Sequence, residues 1–346
     1  MSQTVRVTFP PAAATAVGSM PGTDPVAAAA IVVGELPGLP NLPELPKRGL
    51  GADMIGRTAA LLVDLAVEVV PSAYRVAARP GGDHRTAVDH LRRDLDAFEA
   101  ATDSAKPSLV KVQLAGPWTL TSEIELPRGH RVMTDPGALR DFGESLAEGL
   151  TRHVAEVRKR TGAEVVVQFD EPSLPAVLAG ALPTPSGLGM VSAVAEPEAR
   201  EVLRVLIDAA RAATDQPVVV HCCAPRPPVA LFRSAGADAI SLDATLLDGM
   251  PAVFADQLGE AWDDGCVFFL GLVPSTEPNR PPTLHDVARP ALELVDRLGF
   301  PRTLLAERAV PTPTCGLAGA TTAWVRRALE LTRDLGKGFV EPPESW

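Results

Sequence analysis

Short apolar runs rich in valine recur along the chain. Each is followed by a longer stretch whose apolar positions fall three and four residues apart. The runs predict buried strands, and the wider spacing predicts amphipathic helices. Strands are expected at 14–19, 72–78, 109–115, 164–170, 217–222, 238–243, 266–272 and 303–307. Helices are expected at 53–69, 84–102, 136–161, 196–213, 227–235, 247–264, 284–298 and 318–335. Such alternation implies an α/β fold with a parallel sheet, and eight units in series imply a closed (β/α)8 TIM barrel. The valine-rich strands read as buried on both faces, as barrel strands are. Two Pro/Gly-rich stretches, 34–52 and 179–192, interrupt the rhythm. Proline fixes φ and lacks a donor, so both read as long loops over the barrel mouth.

The 346 residues suit one catalytic barrel domain over 1–346 with room for insertions. Forty-three acidic residues against 32 basic ones leave a net charge of −11. That excess argues against nucleic acid or an anionic membrane as partner. The early apolar run Val26–Val33 is too short to cross a bilayer. The first twenty residues lack a charged segment followed by an apolar one, so a cytoplasmic location is expected. In that compartment four cysteines point to metal or redox chemistry rather than disulfides.

Barrel enzymes carry their chemistry at the C-terminal ends of the strands. The reactive residues expected there are Asp170-Glu171-Pro172, His221-Cys222-Cys223, Asp243 and, beyond the last strand, Cys315-Gly316. His221 and Cys223 are two apart, so in extended chain they share a face, and Cys222 points away. One imidazole, two thiolates and a carboxylate form a tetrahedral set suited to Zn2+. Cys266 opens a strand at the opposite end and reads as a core thiol.

Taken in order, these segments resemble the cobalamin-independent methionine synthases, specifically their catalytic C-terminal barrel. The family's I-G-S-F-P is similar to Val17-Gly18-Ser19-Met20-Pro21, and its G-P segment to Gly116-Pro117-Trp118. Its D-E-P is similar to Gln168-Phe169-Asp170-Glu171-Pro172. Its H-x-C pair, acidic residue and P-x-C-G-L segment match His221-Cys222-Cys223, Asp243 and Pro313-Thr314-Cys315-Gly316-Leu317. The resemblance implies zinc held by His221, Cys223, Asp243 and Cys315. It implies methyl transfer to a homocysteine-like thiol to give methionine, with the zinc-bound thiolate as nucleophile. The donor it implies is a methylfolate or a methylated corrinoid protein. Ser19 would hold the substrate carboxylate, Asp170 the ammonium group, with Glu171 a second candidate, and Trp118 would wall the donor pocket.

Three departures stand out. The family's acidic ligand is usually glutamate, where this chain has Asp243. The stretch Gly271–Ser275 lacks the family's proton-shuttling histidine. The family's H-G-E glutamate has no clear match, the nearest stretch being Lys47–Gly51. Competing readings are a zinc hydrolase, a metal-free barrel of the uroporphyrinogen-decarboxylase type, and a degenerate barrel that only binds. Metal content separates them.

Overall fold

The computed structural model describes residues 9–71, 73–184, 186–343 and 346. Among the described residues nine strands form: β1 (Ala66–Val70), β2 (Ala73–Ala77), β3 (Leu109–Ala115), β4 (Ile124–Glu125), β5 (Glu164–Asp170), β6 (Val218–His221), β7 (Ala239–Asp243), β8 (Val267–Val273) and β9 (Ala309–Pro313). Six of them make a parallel, curled sheet in the order β3-β5-β6-β7-β8-β9. Helices connect consecutive strands of this sheet. The helix Pro136–Thr161 starts at an Asp135 cap that accepts from Gly137 and Ala138 N–H. It stops at Gly162, which supplies a left-handed φ of 68°. The helix Glu196–Ala213 buries Leu203, Leu206, Ile207 and Ala210, one stripe at helical spacing. Among the described residues, no helix is long and apolar enough to cross a membrane.

Two extended stretches lie along the open edges of this sheet. Thr15 N–H donates to Pro311 O of β9, at 3.3 Å. Met20 N–H donates to Glu44 O at 2.8 Å, and Glu44 N–H to Gly18 O at 3.2 Å. Leu42 N–H and Lys111 O, then Lys111 N–H and Pro40 O, join the second stretch to β3 at 2.8 and 2.9 Å. Part of the proline-rich 34–52 segment is therefore laid against the sheet.

Several sequence expectations need correction. The helix expected at 53–69 is short, Met54–Ala59, and Ala66–Val70 is a strand. Its Ala-Val-Glu-Val-Val run favours the pleat, where β-branched side chains pack well. The strand expected at 72–78 forms as β2 but pairs antiparallel with β1 in a separate three-stranded sheet with β4. Residues 303–307 are not a strand: Leu304–Arg308 is helical, and the strand follows as β9. Residues 14–19 make only an isolated bridge, Ser19 to Glu44.

The concave face of the sheet decides where chemistry can sit. Side chains alternate along a strand. Leu109, Val166, Val219, Ala239, Val267, Phe269 and Val310 form their own apolar cluster with Ala13 and Leu39. Continuing by steps of two toward the C-terminus gives Lys111 and Gln113, Gln168 and Asp170, His221, Ser241 and Asp243, and Thr312, while β8 continues to Gly271 and Val273. One end of the concave face is hydrocarbon and the other is polar, in strands that otherwise bury only apolar side chains.

Candidate active site

His221 ends β6 and is buried. Its Nδ1 lies 2.9 Å from Ser241 Oγ on the next strand. With that hydroxyl accepting from Nδ1–H, Nε2 keeps its lone pair. Cys223, two residues on, approaches Cys315, with Sγ atoms 3.2 Å apart. The Cys315 thiol is pulled well below its ordinary range by the hydrogen bond from Cys223 and then by His221. Cys223 is pushed up in turn by its bond to Cys315 and by burial. The ligand atoms of His221, Cys223 and Cys315 all lie within 4.8 Å of one another. Ligands 2.0–2.3 Å from a tetrahedral zinc stand roughly 3.3–3.8 Å apart. Two sulfurs and one imidazole fit that ion in kind, and they lie close enough together to share it.

Cys315 reaches this point because its turn is pinned from both sides. Thr314 N–H donates to Val273 O at 2.8 Å, and Leu317 N–H to Ser19 O at 2.8 Å. Between them Gly316 packs on Ser19, where an added Cβ would come within 2.1 Å of Ser19 Oγ. The Gly18-Ser19 and Cys315-Gly316 turns therefore form one contact, which brings Ser19 beside the sulfur cluster.

Asp243 stands outside the three-residue group. Its carboxylate accepts from Thr245 N–H at 2.9 Å and from Thr245 Oγ1–H at 2.6 Å, capping the turn after β7. Cys222 is fully buried on the helix side, and burial pushes its thiol up to about 12. Cys266 lies buried at the start of β8, away from the cluster, with its thiol also raised to about 12 by burial.

Asp170 ends β5 beside His221, its register partner on β6. Burial pushes its carboxyl up to about 7, offset in part by His221 and Lys111. Gln168 Nε2 donates to its Oδ1 at 2.7 Å. Glu171 faces the other way. Its two oxygens accept from Trp118 N–H at 3.0 Å, Thr119 N–H at 2.9 Å and Thr119 Oγ1–H at 2.8 Å, holding the start of the helix Pro117–Glu123. Trp118 is fully enclosed, and its Nε1–H donates to Ala199 O at 2.9 Å. The structure thus gathers His221, Cys223, Cys315, Ser19 and Asp170 near one end of the sheet, while Glu171 and Trp118 spend their polar atoms on packing.

Gly116 has a steric reason that the sequence alone does not show. A Cβ there would lie 2.3 Å from Glu171 Oε1 and 2.6 Å from its Cγ. Gly116→Ala is expected to cost about 2 kcal/mol of unfolding free energy, the range for overpacking a tight core. Most of that loss should vanish in a Glu171→Ala background, as a denaturant-unfolding cycle of the four proteins will show.

The sequence reading missed a polar layer beneath the site. Lys111, Gln113 and Gln168 are buried, and so is Glu44 on the edge stretch. Gln113 Nε2 donates to Glu44 Oε1 at 3.0 Å, and Arg57 Nε lies 3.9 Å from the same oxygen. Arg57 and Arg48 both bind the buried Asp94. Burial raises the Glu44 carboxyl, against the pull of Arg57 and Gln113. The signal was present as polar residues at alternate positions of apolar strands, in L-V-K-V-Q-L-A and E-V-V-V-Q-F-D.

Comparison with known proteins agrees with this fold. The family described as "Cobalamin-independent synthase, Catalytic domain" matches residues 12–337. A B12-independent methionine synthase from Shewanella sp. W3-18-1, solved in complex with selenomethionine, superposes with a TM-score of 0.58 at 12% identity. That match covers 94% of this chain and 97% of the other. A methyltransferase from Methanosarcina mazei gives a TM-score of 0.57 at 16% identity, over 97% of this chain and 94% of its own. At such identities the likeness concerns the fold. No curated protein matches the chain. With nearly its whole length matched, the chain belongs to the family of cobalamin-independent synthase catalytic domains.

Proposed function

We propose that this protein is a zinc-dependent methyltransferase that methylates a thiol, homocysteine to methionine, within one catalytic domain spanning 1–346. The observation that carries the reading is the convergence of His221, Cys223 and Cys315 beside the buried Asp170. Under this reading the two edge stretches at 13–20 and 40–45 serve as the seventh and eighth staves of a closed (β/α)8 ring.

Zinc at this site would supply a substrate thiol ionised at neutral pH, where a free thiol with a pKa of about 8.5 is mostly protonated. The protein's own groups do the rest. His221, Cys223 and Cys315 would hold the ion, with the His221 ring fixed by Ser241. Asp243, whose carboxylate now accepts from Thr245, would be the fourth protein ligand once released from that turn. Ser19, locked against Gly316, offers its hydroxyl to the amino-acid carboxylate. Asp170 receives the ammonium group through the oxygen that Gln168 leaves free. Glu44 is the second carboxylate on that side and takes the part of the family glutamate that the sequence comparison left unmatched. The methyl donor is a methylfolate or a methylated corrinoid protein, and the activity is placed in the cytoplasm.

Zinc-edge absorption spectra test the metal assignment directly. The zinc-loaded protein is expected to show two sulfur neighbours, and three once homocysteine is added. An unchanged sulfur count on addition of the thiol would refute direct thiol binding. A purified protein that retains no metal would favour the decarboxylase-like barrel.

A further inference from the structure

Lys111 takes no part in holding metal or thiol, yet it is fully buried on the concave face of β3. Removing an ammonium group from water costs several kcal/mol unless strong partners replace the lost hydration. Here the partners are two neutral oxygens, Val17 O at 2.9 Å and Gln168 Oε1 at 2.7 Å. Burial lowers the Lys111 ammonium to about 8, while the nearby Asp170 and Glu44 carboxylates favour its charged form. A cation kept in so costly a place, and bound to groups that lead to the site, invites a positional role.

The hydrogen bonds show what it positions. An amide side chain has one acceptor end and one donor end. Because Lys111 donates to Gln168 Oε1, the Gln168 NH2 must face the other way. It donates to Val17 O at 3.0 Å and to Asp170 Oδ1 at 2.7 Å. One oxygen of Asp170 is thereby occupied and the carboxylate is held in place. Val17 O receives both Lys111 and Gln168, and the next two residues are Gly18 and Ser19. A single buried cation therefore anchors both arms of the proposed amino-acid subsite: the carboxylate arm through Val17 and the ammonium arm through Gln168.

We propose that Lys111, acting through Gln168, is a positioning residue that makes the site select an α-amino-acid thiol over a plain thiol. The selection comes from orientation: Asp170 and Ser19 are fixed before substrate arrives, so little ordering is left to be done on binding. This inference rests on the homocysteine reading above.

The test compares two thiols on the cobalt-substituted protein, whose thiolate-to-cobalt absorption reports binding without any methyl donor. L-Homocysteine carries both groups of the amino acid, and propane-1-thiol carries neither. In Lys111→Met the Kd for L-homocysteine is expected to weaken ten-fold or more, with that for propane-1-thiol changed less than two-fold. Gln168→Glu keeps a partner for Lys111 but loses the donor to Asp170, so it should show the same split, and it carries the test alone if Lys111→Met does not fold. Equal weakening for both thiols, or none for either, would overturn the proposal and leave Lys111 a structural staple. A wild-type protein that binds homocysteine no better than propane-1-thiol would overturn the homocysteine reading itself, and this proposal with it. Preference retained in both variants would remove only the role of Lys111.

Discussion

Cys315→Ser is expected to strip the protein of zinc and of activity together. Metal content should fall from about one ion per chain to under a tenth, and methyl transfer to homocysteine by at least roughly 10⁴-fold. A serine hydroxyl stays protonated at neutral pH and is a hard, weak ligand, whereas the thiolate is a soft, charged one. The remaining His221 and Cys223 sit on one strand end and cannot enclose an ion between them. The fold should survive, because Cys315 is only half-buried in a turn held by the backbone bonds of Thr314 and Leu317. Cys266→Ser is the control: that thiol lies at the other end of its strand, so zinc should stay at one per chain. Elemental analysis and a circular-dichroism melt on the same samples decide the matter. Full zinc retention in Cys315→Ser would remove the metal centre proposed here.

Much of this site was legible in the sequence because strand alternation is simple geometry. His-x-Cys at the end of a valine run puts both ligands on one face and Cys222 on the other, and the structure keeps Cys222 in the helix-side core. Strands β3, β5, β7 and β8 also fell where the apolar runs predict them. The last strand was hidden by its own composition. Ala-Val-Pro-Thr-Pro contains two prolines, which ordinarily argue against a strand inside a sheet. Thr314 N–H points to β8, so by alternation the missing donors of Pro311 and Pro313 lie on the opposite edge. There the neighbour is the irregular stretch at 13–20, which asks for few donors. The preceding Thr-Leu-Leu-Ala-Glu reads as a strand by hydropathy, but its leucines, alanine and glutamate are helix formers, and local propensity prevails.

The D-E-P segment divides between the two faces of the sheet for a related reason. Two adjacent carboxylates at a strand end look like a functional pair, yet neighbours on a strand face opposite ways. Asp170 follows the concave face, and Glu171 turns to the helix layer. Only long-range contacts could reveal that Glu171 serves the helix after β3, some fifty residues earlier in the chain. Lys111 and Gln113 were legible in principle, since a lysine and a glutamine at alternate positions of a fully buried strand have no packing rationale.

That split between neighbouring carboxylates gives the second large effect. Asp170→Asn is expected to lower kcat/KM for homocysteine about a hundred-fold, close to 3 kcal/mol, as when one partner of a buried charge pair is neutralised. The change is nearly isosteric, and an asparagine oxygen can still accept from Gln168 Nε2, so the fold and the zinc content should be untouched. Most of the loss should fall on KM, because the ammonium group is held alike in the ground and transition states. Glu171→Gln should behave oppositely. Its new NH2 would meet Trp118 N–H or Thr119 N–H, donor against donor, in a fully buried position. The expected cost is about 2 kcal/mol of stability with KM for homocysteine unchanged. Steady-state kinetics and denaturant titration of the two variants separate the roles. If Asp170→Asn kept the wild-type KM while Glu171→Gln raised it, the two carboxylates would have to exchange places in the mechanism, and the ammonium would have to be sought on the helix side of the sheet.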